Sequence, residues 1–274
     1  MTNVASKPKF LTREQLHQFN TEGYCSPVDI FTQDEVAELT RNLARVLTLL
    51  EPHELSYSIC CWEQSNDWLY DLVMEPRILD CVEDILGPDF YQWSSNMMCK
   101  TPHEKRHVPW HQDAYDWPLV PRDVLTVWIA FQDCDDDNSC LRVMPGSHQH
   151  GLQRHIEGPG PLRNNTSAMF PFYLDPAVID ECKAISLPLK AGQVSMHHGL
   201  TWHYSEANGS SRHRNAFTAC YAATRVACVN PIKTMNGDWT DFTGYLCRGV
   251  DAYRNFRYLD APKAFGRNPP NKYR

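Results

Sequence analysis

Near residue 90 the pattern of apolar residues changes period, and that change limits the chain to a small set of folds. Before it, apolar residues recur at helical spacing: Val36, Leu39, Leu43, Val46, Leu47 and Leu50 fall on one stripe. Thr12-Arg13-Glu14-Gln15 and Thr32-Gln33-Asp34-Glu35 are capping boxes, each able to satisfy two orphan donors at a helix start. Gly23 ends the first helix and Pro52 the second, and shorter helices are expected over 68–74 and 78–86, the latter closed by Gly87-Pro88. Beyond residue 90, runs over 90–93, 125–131, 140–144, 194–198 and 216–222 are rich in β-branched and aromatic residues and read as strands. Clusters such as Asp135-Asp136-Asp137-Asn138 and Pro145-Gly146-Ser147 separate them. Helices first and many short strands afterwards predict a mainly β fold with flanking α-helices, a barrel or jelly roll. One domain is expected over 1–274, with a mostly helical N-terminal region (1–88), a jelly-roll core (89–225) and a C-terminal extension (226–274). Residues 150–176, including Gly158-Pro159-Gly160-Pro161, have little periodicity and read as a long loop of the kind that forms lids.

Composition narrows the function classes. With 26 Lys+Arg against 33 Asp+Glu and a formal charge of −7, the chain is poorly suited to nonspecific binding of nucleic acid or anionic membranes. No apolar run is long enough to predict a membrane-spanning helix, and Met1 to Gln15 lacks the apolar stretch of a signal peptide. The 11 cysteines show no framework spacing, which points to a reducing compartment, the cytoplasm. Asn165-Thr166-Ser167 and Asn208-Gly209-Ser210 match the glycosylation pattern but read as turns in that setting. The expected partner is a small-molecule substrate, without nucleic acid or membrane; a homodimer is compatible with the sequence.

The segment with most chemical content is Trp110-His111-Gln112-Asp113. A His and an Asp two apart on a strand project to one face, where an imidazole and a carboxylate can share a metal. Most isolated pairs of this kind are surface residues or satisfied core, so a third ligand is needed. His197, His198 and His203 are the downstream choices. Two His and one carboxylate on three adjacent positions leave the other positions of Fe(II) open. The absence of Cys from this segment weakens a structural zinc reading. Arg214, beyond His203, offers a planar guanidinium suited to a bidentate grip on a carboxylate. His107, His148 and His150 read as structural or solvated, and Trp110 as core.

Three motifs in order then carry a resemblance: Trp110-His111-x-Asp113, Asn138-Ser139-x-Leu141-x-x-x-Pro145-Gly146-Ser147-His148, and His203-x-Ser205-x-x-Asn208-x-Ser210-x-x-x-Arg214. From about Leu11 to Phe256 the chain resembles the phytanoyl-CoA dioxygenase family of Fe(II)- and 2-oxoglutarate-dependent oxygenases. The one departure is Asn138-Ser139, where the family usually has Asn-Gly. The resemblance implies a double-stranded β-helix, a cupin-like jelly roll, with iron held by His111, Asp113 and His203. It implies that Arg214 takes the distal carboxylate of 2-oxoglutarate, with Ser205 beside it and Trp128, Thr126, Asn96 and Lys100 lining that pocket. Spacing to Arg214 and the following Ser205 favour His203 over His197 and His198. Fe(II), 2-oxoglutarate and O2 are the implied cofactors, and an intact Asp113 favours hydroxylation over halogenation.

For the substrate, Tyr115 and Trp117 lie just past the metal motif; Tyr57, Trp62, Trp68, Trp93, Phe170, Phe172, Trp202 and Tyr204 are further aromatic choices, and Arg122, Arg142, Lys105 and Arg106 could hold an anionic group. Aromatic faces can hold a quaternary ammonium by cation–π attraction. The stretch from Tyr245 to Phe256 is similar to the tails of bacterial family members, some of which hydroxylate organophosphonates. The leading expectation is therefore a small organophosphonate or quaternary-ammonium zwitterion such as 2-(trimethylammonio)ethylphosphonate. The rival in the same class is an acyl-CoA or other small metabolite. Outside it stand a zinc-dependent hydrolase and a non-catalytic ligand-binding jelly roll.

Overall fold

The computed structural model describes residues 8–158, 168–229, 232–233, 239–240 and 243–267. Four helices open the chain: α1 (Arg13–Glu22), α2 (Gln33–Leu47), α3 (Asp67–Val73) and α4 (Pro76–Leu86). Both capping boxes form: Thr12 caps the Gln15 amide and Thr32 the Glu35 amide, with the reciprocal side-chain bonds present. Each cap contributes about 1 kcal/mol. Gly23 ends α1 at φ 81°, a left-handed conformation that glycine adopts without penalty.

The strands are β1 (Tyr24–Asp29), β2 (Phe90–Met97), β3 (Val108–His111), β4 (Leu119–Val120), β5 (Val124–Ala130), β6 (Leu141–Val143), β7 (His155–Glu157), β8 (Phe172–Leu174), β9 (Ile185–Leu187), β10 (Gln193–His198), β11 (His203–Ser205), β12 (Ala216–Ala223), β13 (Ala227–Cys228), β14 (Ile232–Lys233), β15 (Trp239–Thr240), β16 (Thr243–Arg248) and β17 (Arg257–Tyr258). A seven-stranded sheet runs β1-β10-β5-β12-β2-β16-β17, and a four-stranded sheet runs β3-β11-β6-β9. The expected jelly-roll fold is what forms.

Strand alternation decides what faces what. Leu125, Val127 and Ile129 of β5, Val194 and Met196 of β10, and Phe217, Ala219 and Tyr221 of β12 pack in one core cluster with the stripes of the helices. The alternate residues Thr126, Trp128, His197, Thr218 and Cys220 face a cavity instead. Val108, His111, Leu141, His203 and Ser205 of the smaller sheet line the same cavity. Both faces of β5 are therefore buried, which explains why Val124–Ala130 reads as an unbroken apolar run.

Several expectations need correction. The large sheet draws on all three expected regions: β1 lies in the segment that reads as helical, and β16 in the one that reads as an extension. The sequence pattern hides β1 because Ser26-Pro27 breaks its strand signal. The segment 150–176 is not structureless: β7 and β8 pair antiparallel within it. Residues 159–167, which include Pro159-Gly160-Pro161 and Asn165-Thr166-Ser167, lie outside the described residues. Among the described residues, no helix is long and apolar enough to cross a membrane.

Candidate metal centre

Strand β11 pairs with β3 so that His203 lies opposite His111, and the two rings are 4.0 Å apart between centroids. Asp113 is not on the strand, as its spacing suggested. β3 ends at His111 and Asp113 starts a 3-10 turn, Asp113–Tyr115. Gln112, fully buried between the two, forces the turn. Its side-chain amide donates to the carbonyls of Gly151 and Leu200 at 2.9 and 2.7 Å and accepts from the Gln153 amide at 2.7 Å. Nothing in the sequence pattern marks Gln112 for this role.

The turn still carries Asp113 to the two imidazoles. Its Oδ1 is 3.3 Å from His111 Nε2 and 3.5 Å from His203 Nε2. One ligand atom from each of the three residues lies within 4.8 Å of the others. Each imidazole donates its Nδ1–H to a carbonyl, His111 to Pro109 at 2.9 Å and His203 to Thr201 at 3.0 Å. That leaves both Nε2 lone pairs facing the carboxylate, the tautomer a metal requires. Burial, then the charge of His203, lowers the His111 pKa to about 4, so this ring is neutral near pH 7. Burial opposes charge on His203 too, but the Asp113 carboxylate outweighs it and raises its pKa. Burial likewise opposes the Asp113 carboxylate; His203, His111 and His197 outweigh it and hold its pKa well below the ordinary carboxylate value.

The other carboxylate oxygen is held from the opposite side. Asp113 Oδ2 accepts from Thr126 Oγ1 at 2.7 Å and lies 3.2 Å from His197 Nε2. Thr126, expected in the co-substrate pocket, lines the cavity through this contact, and His197 shares the task. His198 points the other way, its ring 5.7 Å from that of His148. Its backbone amide and the Thr201 hydroxyl both bond the Gly23 carbonyl, at 2.9 and 2.7 Å, which fastens the end of α1 to the strand carrying His197.

The later motifs build the opposite wall. Ser147 Oγ accepts from the Trp202 amide at 2.9 Å and so fixes the segment leading into His203. Asn208 donates to the carbonyls of Thr101 and Arg212 at 2.9 and 2.7 Å and accepts from the Ser210 amide at 3.1 Å, shaping the turn before Arg214. Arg214 is 2 % exposed, yet its Nε and Nη2 have no hydrogen-bond partner among the described residues. Its guanidinium carbon lies 5.5 Å from the centre of the Trp128 ring, in the wall of the cavity. A buried cation without a counter-ion is costly, and burial lowers its pKa.

Asn96, Trp128, Ser205 and Arg214 line the cavity, as expected of the co-substrate pocket. Lys100 does not. Its amine donates to Ser139 Oγ at 2.9 Å, to Ser205 Oγ at 2.8 Å and to the Glu206 carbonyl. Burial and then Arg214 depress its pKa to about 6. Ser139 explains the departure from Asn-Gly. Its φ is 78°, where glycine is unstrained, and its hydroxyl compensates by accepting from Lys100 and donating to the Glu206 carbonyl at 2.5 Å.

The cavity measures about 780 Å³. Of the expected substrate residues, Tyr115 and Trp117 line it, as do Tyr57, Phe170 and Phe172. The others do not. Trp93 stands behind Trp117, edge to face at 4.7 Å, where the pairing of β2 with β12 skips a residue. Trp202 precedes His203 and so faces away from the metal ligands, packed with Trp110, Met144 and Leu174. Arg122 donates to the carbonyls of Ala114 and Trp117, bracing the 3-10 turn rather than a ligand. The tail carrying the organophosphonate resemblance packs elsewhere, with Phe256 stacked on Tyr91 at 4.2 Å.

The family model of phytanoyl-CoA dioxygenase (PhyH) matches residues 19–216. The chain belongs to the phytanoyl-CoA dioxygenase family. Phytanoyl-CoA dioxygenase domain-containing protein 1 of Mus musculus is 37% identical over 123 residues, which cover 43% of this chain and 40% of that protein. The chain thus matches less than half the length of such curated relatives. Among solved structures, the apo form of the non-heme monooxygenase ThoJ is similar at a TM-score of 0.74 and 26% identity, covering 92% of this chain and 89% of that one. CytC3 with Fe(II) and alpha-ketoglutarate shares the fold at a TM-score of 0.65 and 22% identity, over 95% of this chain and 98% of that one. In this PhyH-family chain, the residues present fit a metal and a dicarboxylate: two neutral-capable imidazoles and a carboxylate converge, and a buried guanidinium stands free beside them.

Proposed function

We propose that this chain is an Fe(II)- and 2-oxoglutarate-dependent dioxygenase that hydroxylates an unactivated C–H bond of a small molecule, with residues 1–274 acting as one oxygenase domain. The observation that carries the reading is Arg214, a buried cation with two free nitrogens in the same cavity as His111, Asp113 and His203. A zinc-dependent hydrolase using the same three ligands would need a carboxylate base at the metal, and the other carboxylates of the described lining, Asp116 and Glu157, are exposed at the mouth.

In this reading His111, Asp113 and His203 hold the iron, and Arg214 takes the distal carboxylate of 2-oxoglutarate with Ser205 beside it. When bound, iron, 2-oxoglutarate and O2 supply oxidative decarboxylation to succinate and CO2, coupled to insertion of one oxygen atom into a C–H bond. The protein fixes ligand direction. Thr126 and His197 occupy Asp113 Oδ2, leaving Oδ1 to point between the imidazoles. The Pro109 and Thr201 carbonyls lock the two rings, and Met169, Phe170 and Phe172 make their side of the cavity apolar.

For substrate, the aromatic lining supports a small quaternary-ammonium compound, with 2-(trimethylammonio)ethylphosphonate as the specific case. An acyl-CoA is the alternative within the class, and it requires a basic groove for its phosphates. The test is succinate release from the iron-loaded enzyme across onium phosphonates, other amines and acyl-CoA thioesters. Turnover of an onium phosphonate is the expected result, and failure on every onium compound contradicts the substrate reading.

A further inference from the structure

We infer that His155 is a positioning residue of the metal centre: its imidazole accepts the backbone N–H of Gln112 and so sets the turn that carries Asp113 to His111 and His203. The inference rests on the metal reading proposed above and adds a residue from outside the ligand set, 43 positions further along the chain.

The chain leaves the strand at Gln112. β3 ends at His111, opposite His203 of β11, so the next amide lies past the ladder, on a fully buried residue. A buried backbone donor needs a partner, and His155 Nε2 supplies it at 3.1 Å. An amide can only donate, so Nε2 has to present its lone pair. The other ring nitrogen meets that condition. Nδ1 lies 3.1 Å from the Gln153 carbonyl, which can only accept, so Nδ1 carries the hydrogen. Geometry thus fixes a neutral ring in one tautomer, and burial favours the same state by lowering the His155 pKa to about 4. The Gln112 carbonyl then closes the turn by accepting from the Tyr115 amide at 3.1 Å.

The imidazole grips both flanks of Asp113. Its edge holds the amide of the residue before, and its face stacks on the ring of Tyr115, two residues after, at 4.0 Å. Phe172, on the strand paired with β7, meets the same imidazole at 5.8 Å, edge to face, and keeps it from turning. The segment leading into His155 completes the hold, since the Gly151 carbonyl and the Gln153 amide take the two ends of the Gln112 side chain. With the Gln112 peptide fixed in this way, Asp113 Oδ1 is held 3.3 and 3.5 Å from the two ligand imidazoles. A small rotation of that peptide would swing the carboxylate away from both. Supports of this kind tune metal affinity through the direction of a ligand rather than its identity.

The experiment titrates Co(II), whose visible bands report coordination geometry, into the full chain without 2-oxoglutarate. His155→Phe keeps a ring against Tyr115 and removes the acceptor. His155→Gln gives up the ring and keeps an acceptor, its side-chain carbonyl, near the place of Nε2. Ile156→Ala, on the other face of β7, is the control, and thermal melting confirms that each variant is folded. His155→Phe should lower Co(II) affinity about tenfold and change the bands, while His155→Gln and Ile156→Ala should keep the parent's affinity and bands. Parent-like Co(II) binding in a folded His155→Phe, a loss in His155→Gln as large as in His155→Phe, or an equal loss in Ile156→Ala would each overturn the inference. Nitrogen-15 correlation spectra of the metal-free parent at pH 7 need no variant: His155 should show the neutral Nδ1–H tautomer, and the Nε2–H tautomer or an imidazolium would overturn it as well. Absence of Co(II) binding by the parent overturns the inference and the metal reading together. Failure of the oxygenase reading alone shows separately, as absence of a 2-oxoglutarate-dependent band in the Fe(II)-loaded chain, while the Co(II) comparison is still read.

Discussion

The inner end and the mouth of one cavity are built differently. At the inner end His111, His203, Thr126, His197 and Ser205 sit on strands, and each faces the cavity because of its place in a two-residue alternation. Their polar atoms are mostly committed: both ligand imidazoles to carbonyls, Asp113 Oδ2 to Thr126 and His197. The exceptions are His197 Nδ1 and the guanidinium of Arg214, whose Nε and Nη2 find no hydrogen-bond partner among the described residues. At the mouth, Tyr115, Asp116 and Trp117 come from a 3-10 turn and its exit, while Glu157, Phe170 and Phe172 come from the β7–β8 segment. Only Glu157 and Phe172 among them sit on strands, paired across the small β7–β8 hairpin, and the chemistry of the group is aromatic and acidic. The difference is one of support: the two large sheets hold the inner end, with Asp113 added from the turn after β3, while a short turn and a two-stranded hairpin build the mouth.

Four substitutions probe that difference, the largest effect first. Arg214→Gln strikes the one free charge of the inner end. The 2-oxoglutarate requirement should rise at least ~30-fold, since losing one partner of a buried charged pair costs roughly 2–5 kcal/mol, while iron affinity holds. Steady-state kinetics in 2-oxoglutarate read this, and an unchanged KM would remove Arg214 from the site. Next, Thr126→Val removes one of the two partners of Asp113 Oδ2, leaving His197, and should lower iron affinity by about 10-fold, an effect visible in equilibrium dialysis. Iron binding unaffected by Thr126→Val would mean that the Asp113 carboxylate needs no such support. Trp93→Leu tests the mouth alone: it unbraces Trp117 without touching the ligands. A rise of a few-fold in substrate KM with iron and 2-oxoglutarate affinities unchanged is expected; a loss of iron would show that the two ends are not separable.

The smallest effect concerns Lys100. Its pKa is about 6 in the folded chain, set by burial and then Arg214, against 10.5 when exposed. Between those values the unfolded chain binds a proton here that the folded chain does not, so stability rises with pH across this window and is level below it. Lys100→Met should flatten the rise of Tm between roughly pH 6.5 and 9, and an unchanged slope would mean that Lys100 stays charged.

Legibility in the sequence follows the same division. The helices announce themselves through Thr12, Thr32 and Gly23, whose caps are local and act within one turn. The metal motif, Arg214 and the central strands β2, β5, β10 and β12 of the large sheet are marked by spacing and period. What the sequence hides needs tertiary contact. Asp113 leaves the strand because Gln112 binds carbonyls from two distant segments. His197 reaches Asp113 only because β10 lies beside β5 in the sheet, with His197 opposite Thr126. Lys100 is expected among co-substrate ligands, yet a backbone bridge to Arg214 and four oxygen acceptors hold it behind the wall. Trp93, Trp202 and Arg122 are the right residue types for a substrate pocket, but they brace and pack around it. Type alone does not distinguish a ring that touches ligand from one that supports it.

The central claim is that His111, Asp113, His203 and Arg214 form one site for iron and 2-oxoglutarate. Anaerobic titration of the chain with Fe(II) and then 2-oxoglutarate, followed by visible absorption, tests it most directly. The expected result is a weak metal-to-ligand band that saturates with 2-oxoglutarate, disappears in Asp113→Ala with the fold intact, and needs far more 2-oxoglutarate in Arg214→Gln. No band at saturating 2-oxoglutarate, or an unchanged band in Asp113→Ala, would contradict it.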